Sequence, residues 1–408
     1  MNSLPQQTSD SILRHPGYLH LASSRVLTAL ATQAVTIAVG WMIYDLTHSA
    51  FALGFVGSCQ FLPRFFLTLV VGHVADRFDR RKIVFICQAV QALVALALIW
   101  AIWEGWVTAA VIFAAVTILG SATAFQQPTS TALLPNVVPP SILQKAVATS
   151  TSLQQAAFII GPAAGGLLYG INPAAPFLVA ALFMVVACIN ILSIRIERRV
   201  APREPISLTS VFAGVAFVRS RPVILGAISL DLFAVLLGGA TALMPMFARD
   251  ILHAGPWGLG FLRAAPAIGA LAMAIMLARR PLKTNVGRRM MIACAVFGFA
   301  TIAFSLSSNI VLSIICLAIL GAADTVSVVV RSSLVQLLTP DEMRGRVNAV
   351  NSLFIGTSNQ LGEFESGLLA GFLGPVATGV VGGIGTLIVV VLWIKLFPEL
   401  ARVKTLEG

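Results

Sequence analysis

The sequence predicts an all-α protein that crosses a membrane about twelve times, in two pseudo-symmetric six-helix bundles, and three observations carry the prediction. Hydrophobic residues make up 58% of the 408 residues and charged residues only 11%, against about 25% charged in a soluble domain. The apolar residues fall in runs, each about the 20 residues that a helix needs to span a bilayer. Lys and Arg gather in alternate turns between those runs, the pattern of turns held on the cytoplasmic side.

The elements follow in order. Residues 1–17 are a polar tail without an apolar core, expected in the cytoplasm and unlike a cleavable signal peptide. Six spans are expected near 18–44, 51–71, 83–103, 107–128, 146–169 and 174–194, making a first bundle over 18–195. Trp41 and Tyr44 close the first span as interfacial aromatics do. Residues 196–221 form the polar linker, where Pro202 and Pro205 interrupt any helix and 208–218 suits a short amphipathic helix lying on the membrane. A second bundle over 222–397 holds spans near 223–248, 258–277, 290–306, 310–338, 343–372 and 376–396, and 398–408 is a second cytoplasmic tail.

Charge gives the orientation. The turns expected inside carry Arg77, Arg80, Arg81 and Lys82, the linker arginines, then Arg279, Arg280, Lys283, Arg288 and Arg289, then Arg344 and Arg346. Those expected outside carry few cations, Arg249 beside Asp250 being the main exception. Both termini are therefore expected in the cytoplasm, with the chain in the plasma (inner) membrane. The halves also echo each other: a shift of about 200 residues lays Gly120 on Gly321, Ala122 on Ala323, Leu133 on Leu334, Pro139 on Pro340 and Ala148 on Ala349. Parallel six-span repeats are a transporter architecture.

The net charge of +11 is explained by turns between spans and by contact with anionic headgroups, so no nucleic-acid partner is expected. Five scattered Cys and five unpaired His give no metal site or disulfide framework. No nucleophile and base are placed together, so an enzyme is not expected, and neither is a cofactor.

Ionisable residues within spans cost about 2.5–3.5 kcal/mol each on insertion scales, so they face a cavity or a partner. A conspicuous set here is Arg64, Asp231, Arg263, Asp324, Arg331, Glu363 and Glu365. Asp324 and Arg331, seven apart, share a helix face, whereas Glu363 and Glu365, two apart, cannot. Two readings stand for the acids: a proton carrier whose charge is tuned by burial, or structural ion pairs of Arg331 or Arg263 with a Glu. Arg64, with no acid in its own span, is the candidate for an anionic substrate. Thr339-Pro340-Asp341-Glu342 reads as a capping box with Thr339 as N-cap, beside Arg344 and Arg346.

Gly72-His-Val-Ala-Asp76-Arg77-Phe-Asp79-Arg80-Arg81 resembles the signature turn between helices 2 and 3 of the major facilitator superfamily, with Asp79 where a second Gly is usual. Gly161-Pro162-Ala-Ala-Gly165-Gly166 resembles the core of that superfamily's antiporter motif on helix 5, with Ala157 in place of its leading Gly. The runs 44–47, 231–240, 340–347 and 362–367 resemble the enterobactin-exporter-like branch. The resemblance covers nearly the whole chain. It implies alternating access between two halves and a conformational gate made by Gly72, Asp76, Arg77, Arg80 and Arg81. The partners of that gate would be Thr339, Asp341, Glu342, Arg344 and Arg346. It further implies proton-coupled export of a siderophore or another amphipathic small molecule, by a protein that works as a monomer. A multidrug or lysophospholipid carrier is the alternative within transport, and a non-transporting sensor or scaffold the alternative outside it.

Overall fold

The computed structural model describes residues 12–194, 208–282 and 284–405. The arginines of 195–203, Lys283 and the first eleven residues lie outside that set, and so do the side chains of Gly72, Asp76, Asp341 and Glu342.

Twelve long helices are built from the apolar runs: α1 (Pro16–Thr47), α2 (Ala50–Arg77), α3 (Arg80–Trp103), α4 (Ala109–Val137), α5 (Pro140–Ile171), α6 (Ala175–Ser193), α7 (Pro222–Leu237), α8 (Gly255–Arg279), α9 (Val286–Leu306), α10 (Ile310–Leu337), α11 (Asp341–Leu373) and α12 (Pro375–Leu396). Consecutive helices run in opposite directions, so residues 12 and 405 share one face, the terminal face; the other is the far face. Three helices starting on the far face are capped by side chains: Ser49 accepts from the Ala52 amide, Thr108 from Val111, and Asn309 from Val311 and Leu312. On the terminal face α5 and α11 instead start behind extended prolines, Pro139 (φ −62, ψ 151) and Pro340 (φ −57, ψ 150).

Among the described residues ten helices are long and apolar enough to cross a membrane, counting 222–251 as one span. The two that fall short are α5 and α11, which are long enough but carry polar residues such as Gln144, Lys145, Gln154 and Gln155, or Asn351, Gln360 and Glu363. Both lie where the halves meet, α5 against α8 and α11 against α2. A helix buried between bundles tolerates polar groups that lipid would not.

Within the seventh span, which covers 222–251 against the expected 223–248, the helix is interrupted. It stops at Gly238, turns through a 3-10 segment (Ala240–Leu243), and ends in a π-helical turn (Phe247–Ile251). Gly238 and Gly239 allow the break because α9 and α11 press on them: a Cβ on Gly238 would meet the Phe297 ring at 2.5 Å, and one on Gly239 the Gly362 carbonyl at 2.5 Å. The linker helix expected over 208–218 forms at Leu208–Ser220. It packs on α11, with Gly214 against the Arg346 backbone and Val218 buried beside Val335, Val347 and Val350.

Packing differs between the two faces. On the far face one apolar core crosses both halves, joining Ile43, Ile112 and Phe177 to Leu243, Phe247 and Phe304. On the terminal face the halves have separate cores, around Leu133 and Ile142 in the first and around Met290, Val330 and Leu334 in the second. The repeat has a packing meaning as well. Gly120 of α4 lets that helix touch the Gln60 backbone of α2, and Gly321 of α10 touches the Pro266 backbone of α8 in the same way.

Candidate functional site

Inside the first half, and reaching the seam with the second, lies a cavity of about 250 Å³. Its lining comes from α1, α2, α3, α4 and α6, and Gln360 of α11 is contributed by the other half. Among the described residues Arg64 is the one charged group lining it. Arg64 reaches it from α2 and donates a hydrogen bond to the Gln127 side chain of α4. The other polar groups are amides and hydroxyls, among them Gln33, Gln60, Gln91 and Thr123. Gln91 Nε2 donates to Thr123 Oγ1 at 3.3 Å. Gln126 donates to Thr28 at 3.3 Å, as does the neighbouring Gln88 at 3.0 Å. Of this lining the sequence reading singled out Arg64 alone, because it searched for charges; glutamines inside apolar runs were the signal it passed over.

Among the buried charges the partner differs from the expected one at Arg331. Arg331 pairs with Asp231 of α7, and not with a Glu or with Asp324; their side chains are 2% and 7% exposed. Asp324 shares a hole of about 10 Å³ with Asp231, Cys294 and Ser327. Among the described residues Asp324 makes no ion pair or hydrogen bond. The face that Asp324 and Arg331 share on α10 thus brings both acids to one spot, with one of them neutralised. On α11, Glu363 points at Gly57 of α2, where an added Cβ would lie 2.8 Å from its Oε2, and Arg263 of α8 is near enough to act on it electrostatically. Glu365, on another face, has a buried Oε2 without a partner.

The basic turn after α2 ties the first half together. Asp79 caps α3, accepting from the Arg81 amide at 2.9 Å, and pairs with the Arg81 guanidinium at 3.0 Å. Those Arg81 contacts hold its carboxyl below the usual carboxylate range. The residue standing in place of the expected Gly is therefore a helix cap. Arg81 also donates to the Ile194 carbonyl at 2.7 Å, at the end of α6, and Arg80 to the Ala132 carbonyl of α4 at 3.2 Å. Arg77 is exposed, as are Arg344 and Arg346 across the seam. The expected capping box is corrected: Pro340, not Thr339, is the N-cap of α11, and among the described residues no side chain caps that end. An extended Pro340 places Thr339 one residue too early, and its Oγ1 is buried without a partner.

The far face is closed by two seams and two polar contacts. In one seam a Cβ on Gly54 of α2 would lie 2.9 Å from the Gly367 Cα of α11. In the other, one on Gly166 of α5 would lie 2.5 Å from the Pro256 carbonyl of α8. The helix-5 run thus faces two ways, Gly161 and Gly165 toward α1, and Pro162 and Gly166 toward Gly260. Tyr44 donates to Asp250, and Arg249 pairs with Asp45, so each residue of the 249–250 pair reaches across to α1.

The profile of the Transmembrane secretion effector family matches residues 8–406. The chain belongs to that family. Its relatives include the enterobactin exporter EntS of Escherichia coli O1:K1 / APEC, 25% identical over 96% of this chain and 94% of the relative. A bacterial homologue of the iron transporter ferroportin, solved facing inward, superposes with a TM-score of 0.71 at 19% identity over 97% of this chain and all of its own. A bacterial homologue of the lysosomal transporter Spinster, inward-facing and unoccupied, superposes at 0.73 with 14% identity over 96% and 98%. The chain thus has the major facilitator fold of about twelve helices in two bundles, and it is a multi-pass membrane protein of a transporter family.

Proposed function

We propose that the chain exports a siderophore or another amphipathic small molecule by alternating access, driven by the proton gradient. The observation that carries the reading is the cavity at the seam, lined by Arg64 and amides and closed by Gln360 from the other half. The enterobactin exporter relatives supply the substrate class. Asp324 supports the coupling role: it is an acid without a partner among the described residues, beside the neutralised Asp231. The basic turn is proposed as the conformational gate, with Asp76 near the start of α11. Both termini face the cytoplasm in this reading, the chain works as a monomer in the plasma membrane, and the basic turns meet anionic headgroups.

The test is transport into proteoliposomes under an imposed pH gradient, with enterobactin as the probe. Wild type should accumulate it only when the gradient is present. Asp324→Asn should fold normally and lose that dependence. Accumulation at the wild-type rate by the variant would remove Asp324 from coupling, and gradient-independent movement by wild type would overturn proton drive.

A further inference from the structure

The two halves hold the start of their third helix with residues at equivalent places and with different chemistry. Asp79, Arg81 and Ile194 each lie 206 residues before Asn285, Gly287 and Leu400. In the first half Asp79 is the N-cap of α3, and its side chain accepts from the Arg81 amide. The Arg81 guanidinium then donates to the carbonyl of Ile194, just past α6. In the second half Asn285 is the N-cap of α9, at φ 53, and among the described residues no side chain caps that end. The amides of Val286 and Gly287 are bonded instead to the carbonyls of Lys404 and Val403, at 3.4 and 3.1 Å, in the tail that follows α12.

The first amides of a helix have no partner within it, so a carbonyl brought to them acts as a cap. Gly287 makes the approach possible: a Cβ there would overlap the Leu400 carbonyl, so the tail backbone lies directly on the start of α9. Burial anchors the tail. Leu400 is fully buried, as Ile194 is at the equivalent place. It belongs to one apolar core with Val286 and Met290 of α9, Ala227 and Leu230 of α7, and Val389 and Trp393 of α12. Phe397, where the tail begins, presses on α7, since a Cβ on Gly226 would lie 2.9 Å from its ring. The cations beside the seat, Arg288 and Arg289 on the helix and Arg402 and Lys404 on the tail, are of one sign.

We infer that residues 397–405 are a strap that clamps α7, α9 and α12 together at the terminal face, and that the turn between α8 and α9 is held by this strap and not by residues of its own. The first basic turn carries its own cap and its own arginine tie, so its form is independent of the tail. The second is held by two backbone hydrogen bonds and a buried leucine, and it is released as a unit when the strap lifts. In a carrier whose halves rock against each other, the strap makes the terminal ends of these three helices move as one body.

The test is amide hydrogen exchange, read by mass spectrometry on the purified full chain in detergent. Gly287→Ala, which unseats the strap, and Leu400→Ser, which removes its anchor, should each speed exchange across 284–291 by roughly tenfold or more. Both should leave 78–85, at the start of α3, at the wild-type rate. Asp79→Ala should do the reverse. Leu400→Met keeps an apolar anchor and should stay near wild type, as should Gly371→Ala, where an added Cβ meets nothing within 4 Å. Monodisperse elution and a cooperative melt establish that each variant is folded; a Leu400→Ser chain that does not fold is replaced by Leu400→Ala, the smaller loss of anchor. The inference is overturned if 284–291 exchanges at the wild-type rate in folded Gly287→Ala or in the folded Leu400 variant, or if 78–85 speeds up to the same extent. The readout needs no substrate. Its failure leaves the transport reading standing, and failed enterobactin transport leaves the strap standing.

Discussion

Replacing Gly54 by Ala should drive the protein out of the state with a closed far face. The added Cβ would sit 2.9 Å from the Gly367 Cα, 3.2 Å from the Phe364 carbonyl and 3.3 Å from that of Glu363. All three are backbone atoms of α11, so no side chain can swing aside, and the helices must separate. Overpacking of this kind costs about 1–3 kcal/mol, which moves a two-state equilibrium by roughly 5- to 150-fold. The polar contacts at the same face weigh less: the Arg249–Asp45 pair is 31% and 52% exposed, and such pairs contribute about 0.2–1 kcal/mol. Closure is thus governed by the small-residue seams, with the ion pair adding orientation. The assay is labelling of a cysteine at Val39, which lines the cavity and is 2% exposed, in a background with the five native cysteines replaced, using an impermeant maleimide applied from the far side. The labelling rate should rise strongly in Gly54→Ala and in Gly166→Ala, slightly in Arg249→Gln, and not in Gly170→Ala, where an added Cβ meets nothing within 4 Å. Unchanged labelling in folded Gly54→Ala, or a larger rise in Arg249→Gln, would refute the reasoning.

Three further outcomes follow from the charges. Asp231→Asn strands the Arg331 guanidinium in a site where its side chain is 2% exposed, so stability should fall by about 3–5 kcal/mol; an unchanged Tm would show the pair to be dispensable, and Asp231→Leu with Arg331→Met should recover most of the loss. Asp79 has a lowered pKa in the fold, so its contribution is present above the usual carboxylate range of about 3.9 and is lost as pH falls through the folded value. Asp79→Asn, which still caps a helix, should therefore unfold at lower temperature than wild type at pH 7, with the gap narrowing as pH falls below the usual carboxylate range; a gap independent of pH would assign the effect to something other than the Arg81 pair. Asp76→Asn should impair transport while sparing folding and substrate affinity, because the turn lies at the end of α2 and the cavity at its middle; lost affinity would place Asp76 in the ligand site, and normal transport would leave the turn with no gating role.

The sequence by itself determined the class of fold, the span order and the relation between the halves. These follow from short-range and periodic quantities: apolar runs of membrane length, cations in alternate turns, and Gly120 and Gly321 at equivalent places, which proved to be equivalent helix contacts. It also located most of the buried charges, though not Arg25 of α1, half-buried against Gln154. It did not assign their partners, because pairing depends on which helices touch. Arg331 lies on one helix face with Asp324, yet its partner is Asp231 of α7, brought beside α10 by the packing of the second bundle. The capping box was misread for a similar reason, since an extended Pro340 moved the helix start by one residue and left Thr339 outside it. The cavity was the least legible feature. Glutamines spread from Gln33 to Gln360 carry no local pattern, and only the approach of five helices of the first half to α11 gathers them around Arg64. Burial of apolar surface can be read along one chain segment at a time, whereas a polar site is defined by what meets across segments, and that is decided by the tertiary structure.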